Sequence, residues 1–522
     1  MLPSLTERRP LIFLALAAFS LCLSSSALAQ KIAPAAKSAA PLSIAKTELD
    51  RGNVDSAETT LWSVLASEPT NQEALTMLGI IRGRQQRYAE AEALFRRVLQ
   101  LNPKSVVASR NLAGALLAEE KPDEAIKQYN QTIQLSPQDS DLKMEVAKQD
   151  LSRGNFAEAL SLLETIKPDR FPSSAVPLKA ASLLGVGRRT DAEALIPRVK
   201  GSPAAALDLA HVFVEAKAAD AALRTLTLVN PIPKGAAAQI YYLKGRAFLQ
   251  KRDGAAAMTN FRQALAADPK SVETLIAMAE VLAGEKKHAE SLLMLEKARA
   301  LSPDSKEVLR HVIVEAMQSG QNEKGMQAAQ DLQRKSSELD DRFLIASVML
   351  QQKQFLAASH ILEDYVAQRP QEAKAYLGLG MAYLSLLRYA DAREALERSL
   401  QLKPDIAEAE YQLGLVAAQQ GNQQEAIQHW QKAVGLQPQH AQALFSLGNM
   451  YLESGKLAEA ESAFRQSLAT DPSNMKTEYN LALVLNKQGK SEEARQHFER
   501  YRRMQEEEHA TSGNPQAGPD HP

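Results

Sequence analysis

The sequence predicts an all-α protein built as a solenoid of antiparallel helix pairs, and three observations lead to this fold class. Proline returns every 34 residues over long stretches of the chain, as at positions 370, 404, 438 and 472. Each proline closes a segment with two runs of apolar residues at helical spacing, so each segment predicts one helix pair. Aromatic residues make up only 5% of the chain, while alanine, leucine and glutamate are abundant, as is typical of helix-rich proteins.

The unit from 441 to 474 shows this pattern clearly. Its first half places Leu444, Leu447 and Tyr451 on one helical face, and its second half repeats the spacing up to Phe464. A glycine at 455 separates the halves and a proline at 472 follows the second, which are the expected stop signals of two helices. The unit therefore predicts a helix, a tight turn and a second helix.

The same residue types recur together in other units. They are Leu78-Gly79, Ala91, Phe95 and Pro103; Leu112-Ala113, Ala125, Tyr129 and Pro137; Leu379-Gly380, Tyr383, Ala392 and Pro404; and Leu413-Gly414, Ala426, Trp430 and Pro438. This pattern resembles the tetratricopeptide repeat over about residues 40–503. The resemblance implies thirteen or fourteen repeats, stacked into a right-handed superhelix of helix pairs.

Small residues mark the place where the two helices of a pair cross. We expect the glycines to leave room at the crossing and the alanines of the second helix to lie opposite them; these are Gly79, Gly380, Gly414 and Gly448, with Ala91, Ala392, Ala426 and Ala460. Large rings are expected to fill the space between successive pairs, at Phe95, Phe261, Phe464 and Phe498.

The beginning of the chain resembles a secretory signal peptide. Arg8 and Arg9 precede an apolar run from 11 to 23, and Ala27-Leu28-Ala29 forms a cleavage pattern before Gln30. The run is shorter than the ~20 residues that a membrane span needs, although an uncleaved anchor is the alternative. The single cysteine, Cys22, follows a leucine rather than a small residue, so lipidation is not expected. We expect export to the periplasm or envelope, with secretion possible, and no integral membrane span after cleavage.

Composition shifts divide the rest of the chain. The predicted segments are a signal peptide (1–29), a flexible lead-in (30–41), an N-terminal array (42–169), degenerate proline-rich units (170–236), a C-terminal array (237–503) and a disordered tail (504–522). In the proline-rich segment Pro197 falls where a second helix should continue, which proline opposes. A kink in the array and ordinary sequence drift both explain this segment.

Residues that could carry chemistry do not cluster. The stretch from Gly320 to Gly325 has the glycine spacing of a phosphate-binding loop, but Met326 stands where lysine is required. The nine histidines are scattered, and we interpret His429 and His497 as helix-surface residues rather than ligands. A net charge of −1 does not favour nucleic-acid binding. We therefore predict no catalytic residues, no cofactor and no metal site.

One helix face remains as a candidate binding surface. In the tetratricopeptide family the first helix of each unit lines a concave groove, and the resemblance implies that its fifth residue faces that groove. In the C-terminal half the implied groove residues are Phe343, Leu377, Met381, Tyr411, Leu415, Phe445, Asn449 and Tyr479, and in the N-terminal half the fifth residues are Thr76, Arg110 and Met144. The alternative is that these aromatic residues close the helix pair.

These features favour a binding protein over an enzyme. The expected function is a non-catalytic scaffold or adaptor in the bacterial envelope that holds segments of partner proteins in the groove. The alternative is a structural or carrier component of an envelope machine that exports or assembles a polysaccharide or an outer-membrane protein. The sequence makes no prediction of a homo-oligomer.

Overall fold

The computed structural model describes residues 39–512, and within them the chain forms 28 α-helices in consecutive pairs without a β-strand. This confirms the predicted all-α solenoid of helix pairs and the predicted number of repeats. The described helices belong to two compact units, which meet in sequence at Pro269 and Lys270.

The first unit contains the helices up to Pro269. They are α1 (Ala39–Asp50), α2 (Val54–Ser67), α3 (Gln72–Arg84), α4 (Tyr88–Leu101), α5 (Val106–Ala118), α6 (Pro122–Leu135), α7 (Ser140–Ser152), α8 (Phe156–Glu164), α9 (Val176–Gly185), α10 (Arg189–Glu193), α11 (Pro203–Glu215), α12 (Ala219–Thr227), α13 (Ala237–Gln250) and α14 (Gly254–Ala267). Short 3₁₀ helices cover Pro168–Arg170, Ser173–Ala175, Ile196–Val199 and Lys234–Ala236.

The second unit is more regular, with helices of 13 or 14 residues up to its last one. They are α15 (Val272–Gly284), α16 (His288–Leu301), α17 (Lys306–Gln318), α18 (Asn322–Lys335), α19 (Leu339–Gln351), α20 (Phe355–Gln368), α21 (Ala373–Ser385), α22 (Tyr389–Leu402), α23 (Ala407–Gln419), α24 (Gln423–Leu436), α25 (Ala441–Glu453), α26 (Leu457–Thr470), α27 (Met475–Lys487) and α28 (Ser491–Ser512).

Side-chain caps fix the starts of many first helices. The Oγ of Ser305 accepts a hydrogen bond from the backbone N–H of Val308, and Oδ1 of Asn474 accepts one from that of Thr477. Such caps satisfy N–H groups that have no partner inside the helix. Between the two helices of a pair the backbone turns through a positive φ, as at Gly455 with +73°. These local signals set the length of each helix.

The crossing of four helix pairs is built from a glycine and a large ring 16 residues later, and in the pair of α21 and α22 Leu396 takes the place of the ring opposite Gly380. A methyl group on Gly414 would lie 2.3 Å from Nε1 of Trp430, and one on Gly448 would lie 2.5 Å from Cε1 of Phe464. The same relation holds for Gly79 with Phe95 and for Gly245 with Phe261, at 2.6 and 2.4 Å. The alanines expected opposite the glycines are buried as well, but the ring is the closer neighbour. The glycine is required because the ring occupies the place of its side chain.

The proline-rich segment keeps helix pairs with shortened second helices. α10 has five residues, and a 3₁₀ helix that contains Pro197 follows it. Because α10 is too short to supply a ring, the gap at Gly185 is filled by Phe156 of α8, whose Cγ would lie 2.1 Å from an added methyl group. One apolar core runs without interruption through this segment, from Ala147 to Ala247.

Two expectations about the chain ends need correction. Residues 39–41, assigned to a flexible lead-in, begin α1, since proline is tolerated in the first turn of a helix. Residues 504–512, assigned to a disordered tail, continue α28, since the stretch from Met504 to Glu508 consists of good helix formers. The expected signal peptide lies outside the described residues, as does the segment 513–522. Within residues 39–512 no helix is long and apolar enough to cross a membrane.

Candidate functional site

The eight residues predicted to line a groove in the C-terminal half lie on the first helices of five successive pairs. We call this set the track; its members are Phe343 on α19, Leu377 and Met381 on α21, Tyr411 and Leu415 on α23, Phe445 and Asn449 on α25, and Tyr479 on α27. All eight side chains are partly buried, so none is fully in the core and none is fully exposed. The set therefore forms a face that solvent reaches in part.

Three rings of the track pack against the second helix of their own pair. The ring centroid of Phe343 lies 5.3 Å from that of Tyr365, that of Phe445 lies 6.0 Å from that of Phe464, and that of Tyr479 lies 5.7 Å from that of Phe498. Part of each ring thus closes the helix pair, as the alternative interpretation held. The remaining surface of each ring is open to solvent.

Tyr411 joins two neighbouring pairs. Nε1 of Trp430 donates a hydrogen bond to the carbonyl oxygen of Tyr411 at 3.2 Å, which anchors α23 to α24. The Tyr411 ring packs on the ring of His440, which precedes α25, at 5.0 Å. Burial raises the pKa of Tyr411 above its ordinary value.

The asparagine of the track is engaged within the array. Nδ2 of Asn480 on α27 donates a hydrogen bond to Oδ1 of Asn449 on α25 at 2.7 Å. The two first helices are therefore in direct contact along this face. Leu377 and Leu415 pack partly against neighbouring clusters of buried residues.

Two histidine–glutamate pairs include the glutamates that directly precede tyrosines of the track in the sequence. Nδ1 of His429 lies 2.6 Å from Oε2 of Glu410, and Nδ1 of His497 lies 2.5 Å from Oε2 of Glu478. His497 is buried and the side chain of His429 is largely so, which corrects their assignment to the helix surface. Both pairs join the first helix to the second helix, and each glutamate precedes a tyrosine of the track. The shared spacing of 19 residues is the sequence signal that could have revealed them.

The corresponding face of the first unit is more polar. Nη2 of Arg110 donates to Oε2 of Glu145 at 2.7 Å, and the hydroxyl of Tyr129 donates to Oε1 of the same carboxylate at 2.8 Å. Burial raises the pKa of Tyr129. Thr76 and Met144 are partly buried like the residues of the track. The register is not divided by unit, since Tyr242 on α13 packs on Phe261 with ring centroids 6.0 Å apart, whereas Arg310 on α17 bonds to Asp341.

In the part of the chain from 39 to 512, no three His, Cys, Asp or Glu side chains are grouped so that they could hold a metal ion.

Several sequence models of known families match the chain. Tetratricopeptide repeat models match residues 42–106, 84–148, 116–182 and 238–271. A model described as the C-terminal domain of cilia and flagella-associated protein 70 matches residues 273–516. Repeat models therefore match most of the first unit, and a domain model matches the second.

A curated relative also matches part of the chain. Cellulose synthase operon protein C of Pseudomonas fluorescens (strain SBW25) is 28% identical over an alignment of 275 residues, and the match covers 49% of this chain. The match spans only 19% of that protein's own length.

Similar solved structures show repeat proteins with little sequence identity. The APC/C hetero-tetramer Cut9–Hcn1 gives a TM-score of 0.43 at 16% identity and covers 88% of this chain and 92% of its own. A tetratricopeptide repeat protein from Parabacteroides merdae ATCC 43184 gives a TM-score of 0.44 at 14% identity, with coverages of 48% and 100%.

The repeat models and the consecutive helix pairs lead to one conclusion. Tetratricopeptide arrays generally serve as protein-interaction scaffolds, because their stacked pairs present a long surface of first helices. The chain belongs to the tetratricopeptide repeat proteins.

Proposed function

We propose that the chain is a non-catalytic scaffold that binds segments of partner proteins along the track. The observation that carries this proposal is the partial burial of all eight residues of the track, at one register of five successive first helices. A core would have buried these rings fully, and an idle surface would carry charged side chains in their place. Partly open rings that are held by neighbouring rings form a rigid apolar surface for a partner.

The proposed location is the bacterial envelope or periplasm. Two observations support it: the sequence of residues 1–29 resembles a signal peptide, and the curated relative is named for an operon of cellulose synthase. Mass spectrometry of the N-terminus of the protein from fractionated cells tests this proposal. We expect a periplasmic or membrane-associated form that begins at Gln30, whereas a cytoplasmic form that retains Met1 would refute export.

Photocrosslinking in cells tests the binding function at single residues. A photoreactive amino acid replaces Phe445 or Tyr411 in the track, and Leu387 serves as the control because it is 69% exposed in the turn between α21 and α22. We expect one protein adduct that forms from both track positions and not from the control. Identical adducts from all three positions, or none from the track, would contradict the proposal.

A second candidate is a carrier or structural component of an envelope machine that handles a polysaccharide. The match to cellulose synthase operon protein C favours this candidate over a role with outer-membrane proteins. The adduct from Phe445 decides between the two, since its mass spectrum identifies the partner. A partner that synthesises or exports polysaccharide would support this candidate, and an unrelated envelope protein would support the general adaptor.

A further inference from the structure

We propose that His440 is a pH-sensitive cap, which holds the start of α25 while its ring is neutral and releases it when the ring takes up a proton. This inference stands apart from the proposed function, since it concerns the start of one helix and needs no partner. It follows from the contacts of the two ring nitrogens and from the residues that cap other first helices.

Six other first helices are capped by the residue directly before them. In each, a side-chain oxygen accepts a hydrogen bond from the backbone N–H three positions later; these residues are Asn71, Ser105, Asp139, Ser271, Ser305 and Asn474. α25 uses His440 instead, whose Nδ1 lies 3.3 Å from the backbone nitrogen of Ala443. Of these residue types, only histidine ordinarily changes its charge between pH 5 and 8. The start of α25 is therefore capped by a group that titrates in this range.

The contacts of the His440 ring fix the place of its hydrogen. The N–H of Ala443 can only donate, so Nδ1 accepts and carries no hydrogen. The hydrogen of the neutral ring is therefore on Nε2, which lies 3.2 Å from Oε2 of Glu408 on α23 and donates to it. Because His440 is only 5% exposed, the neutral ring joins α23 to α25 with both of its nitrogens engaged.

A further proton can enter the ring only at Nδ1. It would face the N–H of Ala443 and end the cap, because both groups would then be donors. The start of a helix also carries a partial positive charge, which opposes a cation at this place. Nε2 donates to Glu408 in both forms of the ring, and more strongly in the charged form. The protonated ring thus stays attached to α23 and releases α25.

The other groups around the ring do not reverse this direction. Tyr411 packs on it at 5.0 Å, and a phenol does not ordinarily titrate below pH 8. The first turn of α25 holds no charged residue, and Ser467 of α26 reaches this turn by donating to the carbonyl oxygen of Ala441. Glu408 is thus the acidic group that contacts the ring, and Gln412 donates to its other oxygen.

His429 responds to a proton in the opposite sense. Its Nδ1 lies 2.6 Å from Oε2 of Glu410, and its Nε2 lies 3.8 Å from Oε1 of Glu425, so both nitrogens face carboxylates. Nζ of Lys432 lies 3.9 Å from the second oxygen of Glu410. A proton on His429 strengthens the contact between α23 and α24. A fall in pH should therefore loosen the start of α25 without loosening the helix pair before it.

Hydrogen–deuterium exchange of the purified full chain tests this inference. Protection of the peptide 441–450 at the start of α25 is measured at about pH 7.5 and about pH 5.5, after correction for the intrinsic effect of pH on exchange. The matched variant is His440→Asn, which keeps a side-chain acceptor like that of Asn474 before α27 but does not titrate. The start of α3, which Asn71 caps, is the reference within the same chain.

We expect protection at the start of α25 to fall by about fivefold more in the wild type than in His440→Asn, since a lost cap has an effect of this size. The start of α3 should show no such difference. His440→Ala should lack the protection at both pH values, and His429→Gln should keep the pH response of the wild type.

Three results would overturn the inference: an equal pH response of the wild type and His440→Asn, protection in the wild type that rises as the pH falls, or wild-type protection in His440→Ala at about pH 7.5. None of these results bears on the proposed function, which crosslinking at Phe445 tests separately.

Discussion

At the scale of single residues, the contact between a glycine and a ring decides how closely two helices of a pair approach. Gly79 faces the ring of Phe95, which is 2% exposed and has no room to move. α5 carries Ala113 at the equivalent position, and the buried ring of Tyr129 lies opposite it. The pair of α5 and α6 is therefore packed around the methyl group of an alanine, whereas the pair of α3 and α4 is packed around a glycine. The sequence predicts the small residue from its recurrence, but the structure identifies the ring as the neighbour that requires it.

Replacing Gly79 with alanine should therefore destabilise the first unit. The added methyl group would lie 2.6 Å from Cε1 of Phe95, and overpacking of this kind costs about 1–3 kcal/mol. The matched control is Gly114→Ala on α5, one position further along its helix, where an added methyl group meets open space. The control should hold or raise the thermal midpoint, since alanine favours a helix over glycine by about 0.5–1 kcal/mol. Equal midpoints for the two variants would contradict the assigned contact.

The ion pair between Arg82 and Glu58 gives a pH dependence. Arg82 is buried, and its Nη1 donates to Oε2 of Glu58 at 2.8 Å. This hydrogen bond lowers the pKa of Glu58 from 4.5 to about 2. Because the pKa of the folded state lies below that of the unfolded chain, the pair stabilises the fold fully above pH 4.5 and loses this effect as the pH falls towards 2.

Glu58→Gln should consequently lower the thermal midpoint at neutral pH, by a loss of about 2 kcal/mol for a charged hydrogen bond. Its difference from the wild type should shrink as the pH is lowered from 4.5 towards 2. Glu394→Gln on the exposed face of α22 is the control and should change the midpoint little. A difference for Glu58→Gln that stays constant with pH would refute the assigned pair.

The histidine–glutamate pairs could not be predicted from the histidines alone. His429 and His497 each stand beside a ring of the second helix, which alone suggests a surface position. Their glutamates lie on the preceding helix, so the pairing depends on how two helices rotate against each other. That rotation is set by the glycine–ring contact, such as that of Gly414 with Trp430, and not by the spacing of the histidines.

At the scale of helices, local signals predict the regular elements and miss the irregular ones. The proline at 472 and the glycine at 455 mark the ends of α26 and α25 because such stop signals act within a few residues. The extension of α28 to Ser512 was missed because polar residues without a breaker are compatible with both helix and tail. The short α10 is an irregular element that the sequence did predict, because Pro197 indicates that the second helix of this pair cannot continue.

The cap of α17 offers a test at this scale. Oγ of Ser305 accepts from the N–H of Val308, so Ser305→Ala should cost about 1 kcal/mol and lower the thermal midpoint of the second unit. Ser302→Ala is the matched control, since Ser302 ends α16 through its backbone N–H, which bonds to the carbonyl of Ala298. Equal effects of the two substitutions would show that the side chain of Ser305 does not cap the helix.

At the scale of the molecule, each compact unit contains its own apolar cores, and the track belongs to the second unit. Residues 39–269 carry a continuous core through the proline-rich segment, whereas residues 270–512 carry the track. Stability in repeat arrays comes mainly from contacts between neighbouring pairs. A unit of several pairs should therefore fold when it is separated from the rest.

A fragment of residues 270–512 should be soluble and helical, with the spectrum expected from its helices in the full chain. Circular dichroism and size-exclusion chromatography measure this directly. A fragment of residues 286–512 is the comparison, because it keeps α16 and removes its partner α15. It should be less stable than the fragment that begins at 270, and the opposite order would contradict the division of the chain.

The double variant Tyr411→Ser, Phe445→Ser tests most directly whether the track binds a partner or only closes its helix pairs. Both side chains are partly buried, and the pairs keep Trp430 and Phe464 as their buried rings. We therefore expect the helical circular dichroism signal to remain while binding of the crosslinked partner falls by at least about tenfold. Loss of the helical signal, or partner binding at wild-type strength, would contradict the assignment of the track as a binding surface.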